Sequence, residues 1–187
     1  MEKIFAPWRM DWVSRDNRND EFDGCVFCAI AESETDREHR VIARNQHAFA
    51  VLNKAPYNPG HLLIIPDDHK GDLTDLSASV VASAAILQQQ AVDAMNRALS
   101  PDGFNTGMNI GSAGGASITD HVHIHIVPRW HSDTTFMPTT ANTTVIVEAL
   151  DESYDRLHDA FQELESATYK GDDAAIQLET PVSEKFA

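Results

Sequence analysis

Three histidines, His121, His123 and His125, alternate with Val122, Ile124 and Ile126 and run on into Val127 and Pro128. A period of two reads as a half-buried strand over 121–128, in which successive side chains point to opposite faces. The imidazoles then share one face, ~6–7 Å apart for a rise of ~3.3 Å per residue, and the β-branched residues take the other. Pro128 closes the run, because it has no N–H to give to a ladder. Three imidazoles on one face suit metal binding, or acid–base and nucleophilic chemistry, since imidazole changes charge near neutral pH. A merely solvated His-rich strand fits less well. The run is internal, strictly alternating and fed by the small-residue loop Gly111–Ser117.

The second chemically loaded stretch is Cys25-Val26-Phe27-Cys28, which holds both cysteines of the chain. At this spacing, in a reducing compartment, two thiols read as a metal half-site or a redox pair rather than a structural disulfide. A thioredoxin-like motif would follow a strand, and the polar segment from Asn17 to Gly24 supplies none. As a metal site the pair needs two more ligands.

The elements that must position these groups are legible from periodicity. Val41–Ala43 and Ala48–Leu52 predict two strands around the turn Asn45-Gln46-His47. Asn53–Gly60 is a loop by its Pro, Asn and Gly content, leading into the continuous apolar run His61–Pro66, a central strand. One long helix is predicted from Thr74 to Leu99, with Leu76, Val80, Ala84, Leu87, Ala91 and Met95 on one stripe, stopped by Pro101-Asp102-Gly103. Phe104–Ile110 predicts a further strand. Asp151–Ser166 predicts a C-terminal helix, with Tyr154, Leu157, Phe161 and Leu164 on one side. Short turns and one long crossover helix give an α+β class with a mainly antiparallel sheet. Residues 1–24 read as an arm packing Phe5, Trp8 and Trp12 onto the domain or a partner subunit. Residues 25–168 are the domain, and 169–187 an acidic, mobile tail.

With 187 residues, 42% of them hydrophobic, one well-cored domain is expected. No run reaches the ~18 apolar residues of a membrane span. The first residues lack the apolar core of a secretory signal, so a cytoplasmic location is expected, with no membrane partner. The net charge of −15, from 14 Lys+Arg against 29 Asp+Glu, is the wrong sign for a nucleic-acid surface. Such acidity also points to a halophilic source.

His121–Pro128 with Arg129-Trp130 resembles the histidine triad (HIT) family of nucleotide hydrolases and transferases, whose signature His-φ-His-φ-His-φ-φ (φ apolar) it matches at every position. The resemblance extends to Phe49-Ala50-Val51-Leu52-Asn53, Pro59–Pro66 and Asn109-Ile110-Gly111, over roughly residues 25–130. Ala6-Pro7-Trp8-Arg9 and Arg129-Trp130 resemble more particularly a branch of dinucleoside tetraphosphate phosphorylases and hydrolases. The implied fold is a five-stranded antiparallel sheet with one long helix and a C-terminal helix, paired into a homodimer.

The resemblance implies that His123 is a nucleophile forming a covalent nucleotidyl-imidazole at the α-phosphate, with His125 and His61 flanking the phosphate. Gly115 and its loop would cradle phosphate through backbone amides. Ser117, where the family often has Gln, would meet phosphate or leaving group. Asn53 would meet ribose and Asn109 another part of the substrate. Phe49 and Leu52 would sandwich the base, and Trp130 would stack on a second one. The family's zinc-bearing branch implies Cys25, Cys28, His69 and His121 as a closed, structural tetrahedral zinc site. His39, His47, His131 and His158 are expected at the surface. The small-molecule substrate is then a diadenosine tetraphosphate-like nucleotide. The alternatives are a nucleoside phosphoramidate, or a zinc-stabilised nucleotide-binding module with little activity.

Overall fold

A computed structural model describes residues 24–131, 133, 149–168 and 171–180. The expected aromatic arm lies outside the described residues, apart from Gly24. The strands are β1 Val41–Arg44, β2 Ala48–Leu52, β3 Leu62–Pro66, β4 Gly103–Met108, β5 Ile124–Arg129, β6 Ala167–Thr168 and β7 Ile176–Leu178. They form one sheet in the order β4-β5-β3-β2-β1-β7-β6. All neighbours are antiparallel except β1 and β7. The helices are α1 Val26–Glu32, α2 Asp36–His39, α3 Ala78–Leu99 and α4 Leu150–Gln162.

The α+β class and the two longer helices agree with the sequence reading, but the sheet does not. Among the described residues, seven strands in a mixed sheet replace the expected five-stranded antiparallel one. The difference lies at the end of the expected domain, which supplies β6, and in the segment expected to be a tail, which supplies β7. Ile176 and Leu178 alternate across Gln177 and are buried, and the segment is tied down elsewhere too. The Ala175 N–H donates to Asp36 Oδ2 at 2.9 Å, and His158 Nε2–H donates to the Ala174 carbonyl at 3.0 Å. A short period-two signal inside an acidic run was enough to add a parallel strand.

Each face of the sheet has its own core. On one face α3 and α4 pack Leu87, Ala91, Met95, Leu157 and Phe161 against Ile42, Ala50, Leu62, Ile64, Ile124 and Ile126. On the other, α1 packs Phe27 and Ile30 against Val41, Phe49, Val51, Leu63 and Ile65. The parity of β3 and β5 therefore sends Leu63, His123 and His125 to the α1 face and Ile124 and Ile126 to the α3 face.

The long helix starts later than expected. Ser77 caps it by accepting from the Val80 N–H, and Leu73–Asp75 is a separate 3-10 turn held by Asp72 accepting from Thr74. Strand β5 begins only at Ile124 and does not end at Pro128. Pro128 is tolerated because it lies beyond the last residue paired with β3 and faces Phe104 of β4 alone.

Candidate active site and metal centre

The triad face is built where β5 and the start of β3 lie side by side. A row of paired residues, Val51, Leu63, His125 and Gly107, crosses β2, β3, β5 and β4. His61 immediately precedes β3 and is fully buried. Its Nε2 lies 3.0 Å from His125 Nδ1, and the ring of His125 is 5.0 Å from that of His123. Gly60 makes the approach possible: it sits at φ +76 with Leu99 against it, where a side chain would be both strained and obstructed.

His123 is 3% exposed and lies at the base of an open cleft that it shares with His125, Asn53 and Ser117. Its Nδ1 is 3.0 Å from the His121 carbonyl oxygen, which can only accept. The proton therefore sits on Nδ1, and Nε2 carries the lone pair. The cleft walls are apolar, with Val26, Phe27 and Ile30 from α1 facing Val51, Leu52 and Leu63 from the sheet. Glu38, His39 and Arg40 close one end, and Ile118 follows Ser117 along the wall.

The first triad histidine belongs to a different centre. His121 is fully buried and donates Nε2–H to the Pro66 carbonyl at 2.8 Å, which leaves Nδ1 as a ligand atom. That nitrogen lies 3.3 Å from Cys25 Sγ and 3.7 Å from Cys28 Sγ, and His69 Nδ1 lies 3.2 Å from Cys28 Sγ. All four ligand atoms fall within 4.8 Å of one another. A tetrahedral zinc bound at about 2.3 Å to sulfur and about 2.0–2.1 Å to nitrogen has ligand–ligand edges of roughly 3.3–3.8 Å, close to the separations of 3.2, 3.3 and 3.7 Å among these donors.

Burial sets the protonation of two of these donors. It lowers the His121 pKa and favours the neutral, ligating form. It pushes the Cys28 thiol up to about 11, helped by Cys25, Glu32 and Asp120. A divalent cation bound there would supply the counter-charge that holds Cys28 as thiolate.

Most of the residues expected at the site from sequence converge here. Asn53 and Ser117 line the cleft with His123 and His125, while His61 lies behind His125. Gly115 (φ +85) and Asn109 sit on the loop before β5, with open space where a Gly115 side chain would be. Phe49 does not reach the cleft: it is fully buried beneath α1, with the Arg44 guanidinium 5.2 Å from its ring. Trp130 packs against the α3-side core and is not a cleft-lining residue.

One surface histidine needs correction: His158 is 4% exposed, stacked on Tyr154 and hydrogen-bonded to Ala174. His39, half-buried, lines the open cleft. The α1 wall was missed. Its signal was present, since Val26, Phe27 and Ile30 flank and follow the two cysteines, and any helix held by them must lie over the triad.

Comparison with known proteins agrees with this geometry. The HIT domain family model matches residues 34–132, which include His61, His69 and the whole triad. An AP-4-A phosphorylase of Mycobacterium tuberculosis (strain CDC 1551 / Oshkosh) is 34% identical over 155 residues, 80% of this chain and 79% of that protein. The crystal structure of a Zn-bound histidine triad family protein from Mycobacterium smegmatis superposes with a TM-score of 0.63 at 31% identity, covering 76% of this chain and 96% of that one. A hypothetical histidine triad nucleotide-binding protein from Sulfolobus tokodaii strain7 gives 0.58 at 27% identity, over 74% of this chain and 90% of that one.

This chain belongs to the HIT family. It is an enzyme of that family's nucleotide hydrolase and phosphorylase class. Among the described residues no helix is long and apolar enough to cross a membrane.

Proposed function

We propose that the enzyme cleaves dinucleoside polyphosphates, diadenosine tetraphosphate in particular, at the α-phosphate through a covalent nucleotidyl-His123. The observation that carries this reading is the Nδ1–H of His123 on the His121 carbonyl, which presents Nε2 as a lone pair in the cleft. Attack by Nε2 forms the N–P bond as the bond to the leaving polyphosphate breaks. The ring gains positive charge in that step, and the carbonyl on Nδ1 stabilises it. His125 stands beside the nucleophile as the donor to phosphate oxygens or leaving group.

The apolar cleft suits a flat base between Phe27 and Ile30 on one side and Val51 and Leu63 on the other, with Asn53 at the ribose. The Gly115 loop and Ser117 lie on the phosphate side. Cys25, Cys28, His69 and His121 hold zinc with no open position, so the ion is structural: it cross-links α1, the β3 end and the triad segment. Among the described residues β4 is an edge strand, where a second copy would extend the sheet into a homodimer.

Similarity to an AP-4-A phosphorylase favours phosphate as the acceptor of the nucleotidyl group. The test is product analysis with diadenosine tetraphosphate, with and without inorganic phosphate, at high salt. ADP and ATP formed only with phosphate establish phosphorolysis. AMP and ATP formed regardless of phosphate establish hydrolysis through the same histidine. Tight binding with no products under either condition would overturn the reading in favour of a nucleotide-binding module.

A further inference from the structure

Behind His125 lies a chain of hydrogen bonds whose direction is set from outside the triad. The Tyr57 backbone N–H donates to His61 Nδ1 at 3.1 Å. An amide proton cannot move to the acceptor, so this nitrogen must carry a lone pair. Asn53 Oδ1 accepts from the Ala55 N–H at 2.9 Å, which places its Nδ2 against the His61 ring, 3.3 Å from Nδ1 and 3.5 Å from Nε2. A neutral His61 then carries its proton on Nε2 and donates to His125 Nδ1 at 3.0 Å. His125 in turn must carry its proton on Nε2.

The Tyr57 ring adds a steric restraint. It lies on the His61 ring with centroids 5.1 Å apart and planes only 15° from parallel. Its loop is fastened at the next residue, where Asn58 Nδ2 donates to the Pro128 carbonyl at 2.9 Å and to Asp133 Oδ2 at 3.0 Å. Asp133 is held by the Arg129 guanidinium, which also reaches Asn105 at 2.7 Å. The loop that dictates the His61 tautomer is thus pinned to β4 and β5, the strands that border the site.

We propose that Tyr57 is a positioning residue that acts through His61 to keep the His125 proton on Nε2, the nitrogen that would donate to substrate. This rests on the reading of His125 as a donor to the phosphate or leaving group. The assignment of protons along the chain can nevertheless be measured without substrate.

The experiment is 15N NMR of the histidine ring nitrogens in the full chain loaded with zinc, combined with steady-state kinetics on diadenosine tetraphosphate. In the wild type, His61 and His125 should each show a pyridine-type Nδ1 and a pyrrole-type Nε2. Tyr57→Phe should keep that pattern and wild-type turnover. Tyr57→Ala should leave His125 as a mixture of tautomers and lower kcat by about 10–100-fold, with KM changed less than about threefold. Asn58→Ala, which loosens the loop without removing the ring, should give a smaller change of the same kind and serves if Tyr57→Ala does not fold.

A wild-type His125 protonated on Nδ1 would overturn the proposal. So would a Tyr57→Ala or Asn58→Ala enzyme that loses turnover while both tautomers stay intact, which would make the segment a structural support only. If the tautomers are as stated but no dinucleotide is cleaved, the functional reading fails and the positioning role stands.

Discussion

His123 donates its Nδ1–H to the carbonyl oxygen of His121 at 3.0 Å, while the His121 ring lies 3.3 Å from the Cys25 sulfur. One residue therefore serves the proposed zinc site through its side chain and orients the proposed nucleophile through its backbone. Phe27 couples the two centres again: its ring lies edge-on to both His121 and His123, at 5.5 and 5.1 Å.

The ligand set predicts the behaviour of Cys25→Ser. The variant should bind zinc more weakly, melt earlier, and lose stability before it loses chemistry, because the ligand touches neither His123 nor the cleft. Metal analysis and thermal unfolding of the purified variant check this. One zinc per chain, held as tightly as in the wild type, would refute the ligand assignment. Chelation of the wild type should reproduce the loss of stability.

Asp133 predicts a pH-dependent contribution. The Arg129 guanidinium, with Asn58 and the Trp130 N–H, holds its carboxyl below the usual range. A depressed folded-state pKa means that its stabilisation is fully present above the ordinary carboxylate pKa and is lost as pH falls through the lower folded value. Asp133→Asn should therefore cost about 1–2 kcal/mol at neutral pH and progressively less in acid. Denaturant unfolding at several pH values measures it, and a cost independent of pH would contradict it.

The net charge of −15 predicts a protein adapted to salt. Self-repulsion of this size is screened at high ionic strength, so the melting temperature should rise with added salt. The exposed pairs Arg37–Asp155 and Arg97–Asp93 act in the opposite sense, but surface pairs contribute only about 0–1 kcal/mol each. Full stability at low ionic strength would count against the halophilic reading.

Much of the site was legible in the sequence because its residues sit in short, periodic runs. The alternation from His121 to Ile126 fixes which side chains share a face, and the structure places the imidazoles opposite the α3-side core. The ligand set was legible only through family resemblance, since His69 lies far from both cysteines in the chain.

What was not legible depends on packing between distant segments. Phe49 has the parity of the site face, yet α1 and Arg44 cover it. His158 stands on a helix rich in charge, and its burial follows from the docking of Ala174 and Ile176. Strand β7 rests on three residues and a parallel partner more than a hundred residues away, a pairing that no local pattern specifies.

The most direct test of the covalent mechanism is to trap the nucleotidyl enzyme. Wild-type protein mixed with diadenosine tetraphosphate without phosphate, quenched in alkali and digested, should yield the His123 peptide heavier by one adenylyl group. His123→Ala should show no adduct and lose turnover by on the order of a thousandfold or more, while still binding nucleotide. An adduct on another residue, or a His123→Ala enzyme with near wild-type turnover, would contradict the mechanism.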